Sequence, residues 1–173
     1  MKIKLFLDTS IPSAPFDLSK PIRNHITTQW FLHDASAYEI YTSSLAIKEL
    51  KEWSNQVKQQ GALDLLEKNK VQVLDIQENM KVLAEEYIRL GALPITEKDD
   101  ALHLACATLS NVLNFVSWDF RHIVSVNPIL KIREIHQKMG LLPIHISTLS
   151  PFGSDVYGVF EPAKFAREKH KII

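Results

Sequence analysis

Five short apolar runs alternate along the chain with longer stretches at helical spacing, and this alternation restricts the fold more than any other feature. The runs are Ile3 to Leu7, Tyr38 to Thr42, Val71 to Ile76, Asn114 to Ser117 and Pro143 to Ser147. They are short, rich in β-branched and aromatic residues, and flanked by turn or capping residues, as buried strands are. Between them, Ser19-Lys20-Pro21 can open one helix, and Ser43-Ser44 can cap another carrying Leu45, Ile47, Glu49 and Leu50. Leu83, Tyr87, Ile88 and Leu90 recur at helical intervals up to Gly91. Ala101 to Leu109 forms a small-residue helix, and Ile129, Ile132, Ile135 and Met139 lead up to Gly140. Strands alternating with helices predict an α/β fold with a mainly parallel central sheet covered on both faces. Two local interruptions are expected. Pro12 and Pro15 forbid a regular helix straight after the first strand, and Gly61 breaks the helical stretch from Ser54 to Lys68.

The chain of 173 residues suits one domain, large enough to bury its core without staples. Its single cysteine, Cys106, excludes a disulfide framework and a cysteine-rich zinc site, which fits a cytoplasmic protein. Leu5-Phe6-Leu7 runs straight into Asp8, too short an apolar stretch for a leader, and no run approaches a membrane span. Twenty basic residues against twenty acidic ones argue against broad, non-specific coating of nucleic acid. From Ser150 onward the pattern changes to a Pro- and Gly-containing loop and a short basic stretch from Ala163. Residues 1–150 are therefore read as the folded domain, and 151–173 as a C-terminal extension of unknown role.

The acids carry the chemistry. In open α/β sheets, ligands bind beyond the carboxyl ends of the strands. Asp8 ends the first run and Asp119 stands just past the fourth, so both belong to one edge of the sheet. Glu49 lies one turn into the helix after the second strand, and Asp100 in the first turn of its helix. Four carboxylates gathered at that edge repel one another and call for cations. Hard oxygen donors without cysteine or a paired-histidine motif select Mg²⁺ or Mn²⁺. Taken singly, each acid has a plainer role, as a helix cap or as a charge favouring a helix dipole. The joint pattern is what points to metal-assisted phosphodiester hydrolysis.

Leu5-Phe6-Leu7-Asp8-Thr9-Ser10 resembles the opening strand of PIN domains, and Ser43 to Leu50 resembles their second motif. Asp100-Ala101-Leu102-His103-Leu104-Ala105-Cys106-Ala107 and Asn114 to Ile123 are similar to the third and fourth, in a bacterial branch related to the VapC toxins. The resemblance implies a PIN-like three-layer α/β/α sandwich with endoribonuclease activity and an Mg²⁺ or Mn²⁺ centre held by Asp8, Glu49, Asp100 and Asp119. It also implies an RNA substrate, homodimerisation and, for toxin members, an antitoxin that blocks the site. Asp119 is a full acid where this branch often has Asn. The prolines after the first motif, the stretch from Asp17 to Ala37 and the tail after Ser150 depart from the pattern.

Thr9, Ser10 and Ser117 resemble hydroxyl positions lining such a centre, although turn and cap duties explain them equally well. His103 can contact the site or serve as a hydrogen-bonded structural histidine. Arg121 and His122 can meet a phosphate. Trp53 and Trp118 can stack on bases or pack in the core. Asp99 differs from Asp100 by about 100° around the helix, so only one of them faces the ions. Two rival functions stand beside the nuclease. One is a catalytically weak PIN-fold module that binds nucleic acid or regulates. The other is a haloacid-dehalogenase-type phosphohydrolase, disfavoured because Ser10 stands where a second acid is needed.

Overall fold

The computed structural model describes residues 2–153. Five strands, β1 (Lys4–Leu7), β2 (Glu39–Ser43), β3 (Gln72–Leu74), β4 (Asn114–Val116) and β5 (His145–Ser147), form one sheet in the order β3-β2-β1-β4-β5. Every strand pairing is parallel, with Leu5 beside Ile40, Phe6 beside Phe115 and Val116 beside Ser147. The chain starts at the centre, steps out through β2 and β3, then returns to the other side of β1 as β4. The switch point therefore falls between β1 and β4, where parallel sheets bind ligands.

The helices are α1 (Ser10–Ser13), α2 (Pro21–His33), α3 (Ser44–Lys51), α4 (Gln56–Lys68), α5 (Glu78–Arg89), α6 (Lys98–Leu109) and α7 (Val126–Met139). Strand alternation divides them into two layers. Leu5, Leu7, Ile40 and Val116 pack with Ile11 of α1 and Trp30 and Phe31 of α2. Phe6, Tyr41, Phe115 and Ile146 point the other way, against Leu83 and Tyr87 of α5, Leu104 of α6 and Ile132 of α7. Each fully buried Leu, Ile or Phe contributes roughly 1.5–3 kcal/mol. In α6 the small buried residues Ala101, Ala105, Cys106 and Ala107 let the helix lie close to the sheet. This is the three-layer α/β/α sandwich expected from the alternation. A smaller cluster of Leu50, Ala62 and Leu66 ties α3 to α4.

Three local expectations are corrected. A one-turn helix does follow β1, with Pro12 inside it and Pro15 in the 3₁₀ turn Ala14–Phe16. Both prolines sit in a first turn, where no intrahelical partner is needed for their missing N–H. Helix α4 also runs unbroken through Gly61. The glycine is there for packing: a Cβ at position 61 would lie 2.5 Å from Cε1 of Phe16. At the start of α2, Pro21 takes the first helical position, but Ser19 donates to Asp17 instead of capping the helix. Gly91 and Gly140 end α5 and α7 at φ of 71° and 67°, the left-handed region where glycine carries no Cβ penalty. The basic stretch from Ala163 lies outside the described residues. Among the described residues, no helix is long and apolar enough to cross a membrane.

Candidate active site

The switch point is built from the residues that leave β1 and β4. The Asp8 amide donates to the Val116 carbonyl at 3.2 Å, which continues the strand pairing one residue further and draws the Asp8 side chain into the interior. Asp8 Oδ1 accepts from the Ser10 amide at 3.0 Å and from the Ser10 hydroxyl at 2.5 Å. Ser10 Oγ in turn accepts from the Trp118 amide at 2.8 Å, so the two loops are stitched together. Burial pushes the Asp8 carboxyl up, against the lowering effect of Ser10, Ser117 and the nearby His103.

Asp100 reaches the same edge from the first turn of α6. Burial first, then repulsion from Asp8 and Asp119, raise its pKa to about 8. Glu97, one turn earlier, adds to the repulsion. Asp119 faces Asp100 within hydrogen-bonding reach. Burial works to raise Asp119, but the amides of His122 and Arg121, the His122 ring and Asp100 outweigh it and hold the carboxyl low. Those amides donate to Asp119 Oδ1 at 2.9 Å from Arg121 and 3.1 Å from His122. Ser117 Oγ accepts from the Asp119 amide at 2.9 Å. Of these two facing carboxyls, Asp100 is pushed up and Asp119 is held low.

Glu49 comes to this edge from α3. Ser43 caps that helix, its Oγ accepting from the Ala46 amide at 3.1 Å. The Thr9 hydroxyl donates to Glu49 Oε2, and His103 Nε2 lies 3.1 Å from the same oxygen. The other ring nitrogen, Nδ1, lies 2.8 Å from Ser43 Oγ. His103 is thus a buried, fully engaged structural residue that also touches the site, which unites both readings of it. Burial tends to raise Glu49, but His103 and Thr9 prevail and lower it.

The structure thus brings Asp8, Glu49, Asp100 and Asp119 to one edge of the sheet, with Thr9 and Ser117 among them. Asp99 is exposed and faces away, into a cleft of about 470 Å³ shared with Lys81 and Arg89. Trp118 is a core residue whose indole donates to Thr27 Oγ1 at 2.8 Å. Sequence reasoning missed Glu97. Its Oε1 lies 3.4 Å from His122 Nδ1, which is 3.2 Å from Asp119 Oδ2. Among the described residues, Glu97, Asp119 and His122 form the compact set whose ligand atoms all lie within 4.8 Å of one another. The signal was available in the spacing, since Glu97 stands three residues before Asp100 at the start of a helix. Asp8, Glu49 and Asp100 lie outside that compact set; Ser10 occupies an oxygen of Asp8, and Thr9 and His103 one of Glu49.

The fold is that of VapC-like PIN domains. VapC20 of Mycobacterium tuberculosis, a toxin that cleaves the sarcin–ricin loop, superposes with a TM-score of 0.50 at 17% identity, covering 68% of this chain and 91% of its own. VapBC2 of Rickettsia felis, crystallised on a DNA fragment from its promoter, gives 0.50 at 12% identity over 84% of this chain and 98% of the matched chain. No protein-family model and no curated protein matches the sequence.

Proposed function

We propose that this protein is a Mg²⁺- or Mn²⁺-dependent endoribonuclease of the PIN/VapC type. The observation that carries the reading is the gathering of Asp8, Asp100 and Asp119 at the switch point, where burial first, and then repulsion among the acids, lifts Asp100 to about 8. Such a set is unfavourable alone and fits a hard divalent cation, which neutralises it with oxygen ligands. Asp8, Asp100 and Asp119 would hold the ion, with Glu49 beside them and Glu97 and His122 on the outer side. When bound, it supplies Lewis acidity and makes water a better nucleophile. The chain's own residues supply the positioning. Ser10 and Ser117 orient the Asp8 carboxylate, and Thr9 with His103 fixes the rotamer of Glu49. Trp118, Trp30 and Leu149 form an apolar wall behind the loops and keep that geometry rigid.

VapBC2 is a complex, so the proposal extends to an antitoxin that covers this edge, and to a homodimer as the resting assembly. The test is cleavage of a panel of structured and single-stranded RNAs with Mg²⁺ or Mn²⁺, with EDTA, and with Asp100→Asn. Cutting that requires the metal and Asp100 supports the proposal. Cutting that survives chelation sinks it, and metal binding with no cutting of any RNA returns the chain to the binding-module reading.

A further inference from the structure

Beside the acidic edge lies a cleft of about 380 Å³, within the size range of small-ligand pockets, that the acids do not use. Its position follows from two hydrogen-bonded neighbours. Thr9 and Glu49 touch across the start of α1 and the body of α3. Four residues further along each segment stand Ser13 and Trp53, and both line the cleft. The Ser13 amide donates to the Thr9 carbonyl at 3.3 Å, and the Trp53 amide to Leu50 at 3.3 Å, so each segment continues its turn. Ser13 closes α1, and Trp53 follows the Glu52 C-cap of α3. The cleft therefore adjoins the two segments that carry Thr9 and Glu49.

Its walls are of two kinds. Trp53 and Phe16 are half-buried aromatics, packed on the cluster of Leu50, Ala62 and Leu66 and also facing the cleft. Ser54, Asn55 and Lys58 supply polar atoms at the rim. Asn55 Oδ1 is taken by the Lys58 amide at 3.0 Å, which leaves the Asn55 amide nitrogen as a donor. Asp17, also on the wall, accepts the amide and hydroxyl of Ser19 through Oδ1, and its carboxylate lies in the field of Lys58. The chain places a glycine inside α4 so that the Phe16 ring can seat at 2.5–3.3 Å from where a Cβ would stand. That helix-interior glycine costs about 1 kcal/mol of propensity relative to Ala, and in exchange it leaves room for the Phe16 ring.

Resting on the ribonuclease reading of the acidic edge, we propose that this cleft is a nucleotide subsite. Trp53, with Phe16, stacks on a base of single-stranded RNA flanking the scissile phosphate, and Lys58 meets the backbone of that strand. Aromatic faces bind any base, and a nearby lysine adds charge without reading sequence. Trp30 and Trp118 are buried in the core, which leaves Trp53 to report contact with a ligand.

The test is binding without cutting, in EDTA, with octa-adenylate and octa-uridylate as probes and inorganic polyphosphate as a base-free control. Both RNAs should quench tryptophan emission, and polyphosphate should not. Trp53→Ala should weaken calorimetric binding of the RNAs on the order of 10- to 100-fold, and Trp53→Phe should restore it to within about threefold by retaining a stacking face. Equal affinity in folded Trp53→Ala and wild type overturns the subsite, as does quenching by polyphosphate. Where Trp53→Ala fails to fold, Trp53→Phe decides. Binding retained with quenching lost places a base on residue 53, whereas quenching that persists overturns the assignment. None of these readings requires cleavage, so failure of the subsite and failure of the ribonuclease reading are separate results. If the wild type does cut, Trp53→Ala should raise KM more than it lowers kcat, the mark of lost binding as opposed to lost chemistry.

Discussion

Asp100 and Asp119 face each other within hydrogen-bonding reach, yet their surroundings drive the two carboxyls apart, Asp100 up to about 8 and Asp119 below the usual carboxylate range. The asymmetry follows from surroundings. Two loop amides donate to Asp119. Asp100 is shifted by burial and by three neighbouring acids.

The first prediction concerns stability without metal. Asp100 is ordinarily ionised above about pH 4 in an unfolded chain. Between there and about 8 the folded state holds a proton that the unfolded state has released. Stability therefore falls as pH rises through this window. Asp100→Asn should remove that fall and stabilise the metal-free protein at pH 8 by about 0.5–2 kcal/mol. Added Mn²⁺ should stabilise wild type more than the variant. Thermal unfolding of both proteins across pH 5 to 9, in EDTA and with Mn²⁺, measures the difference. Equal pH profiles would show that Asp100 does not carry the strain.

Neighbouring acids should separate chemistry from surface charge. Asp100→Asn should abolish RNA cleavage. Asp119→Asn should be milder, because an amide oxygen still accepts from the Arg121 and His122 amides and can still face a cation. Asp99→Asn should leave the rate within about twofold, since surface changes away from a site are near neutral and its side chain faces the opposite cleft. Rates for the three variants with Mn²⁺ decide the helix frame: loss in Asp99→Asn with activity kept in Asp100→Asn would invert it.

What could be read from the sequence was whatever depends on periodicity. All five strands lie within or at the edges of the apolar runs, and Gly91 and Gly140 mark their helix ends. The four acids could be placed at one edge because strand ends in a parallel sheet share a side. Pro12, Pro15 and Gly61 were misread for a common reason. Each was weighed as a breaker by residue type, whereas its effect depends on position within a turn or on a partner distant in sequence. Gly61 is explained only by Phe16, 45 positions earlier, which no local pattern reveals. The contact that joins Glu97 to His122 and Asp119 escaped for a similar reason, since it exists only once the loop after β4 folds back on α6.

The Gly61–Phe16 contact makes a prediction opposite to helix propensity. Alanine in a helix interior is favoured over glycine by about 1 kcal/mol. Here its Cβ would meet the Phe16 ring at 2.5 Å and 2.9 Å, and the ring must move. Overpacking of this kind costs typically 1–3 kcal/mol. Gly61→Ala alone should therefore be neutral or destabilising by about 1 kcal/mol. In a Phe16→Ala background the same change should stabilise by about 1 kcal/mol. Denaturant unfolding of the four proteins closes the cycle, and a coupling near zero would mean that Phe16 does not require the glycine.

The last prediction lies in the core, far from the acids. His136 is 1% exposed, with Nδ1 2.7 Å from the Leu142 carbonyl and Nε2 2.6 Å from the Tyr87 hydroxyl. A neutral ring satisfies both contacts, with Nδ1–H donating to Leu142 and Nε2 accepting from Tyr87. Burial lowers the His136 pKa, against the opposing pull of the Leu142 carbonyl. An unfolded histidine takes up its proton near pH 6.5. Below that pH the unfolded state binds a proton that the folded state refuses, so stability is full above about 6.5 and lost as pH falls toward the folded value. The loss can reach about 1.4 kcal/mol per pH unit. This slope is opposite in sign to that of Asp100, and the two offset each other in wild type below about pH 6.5. They separate in the Asp100→Asn background, where acid destabilisation from His136 should stand alone. Adding His136→Gln there should flatten it. Tyr87→Phe should lower stability by about 1 kcal/mol at neutral pH, because the Nε2 acceptor loses its donor, while keeping the acid slope. Urea unfolding at half-unit pH steps measures each slope, and a profile unchanged by His136→Gln would remove His136 as its source.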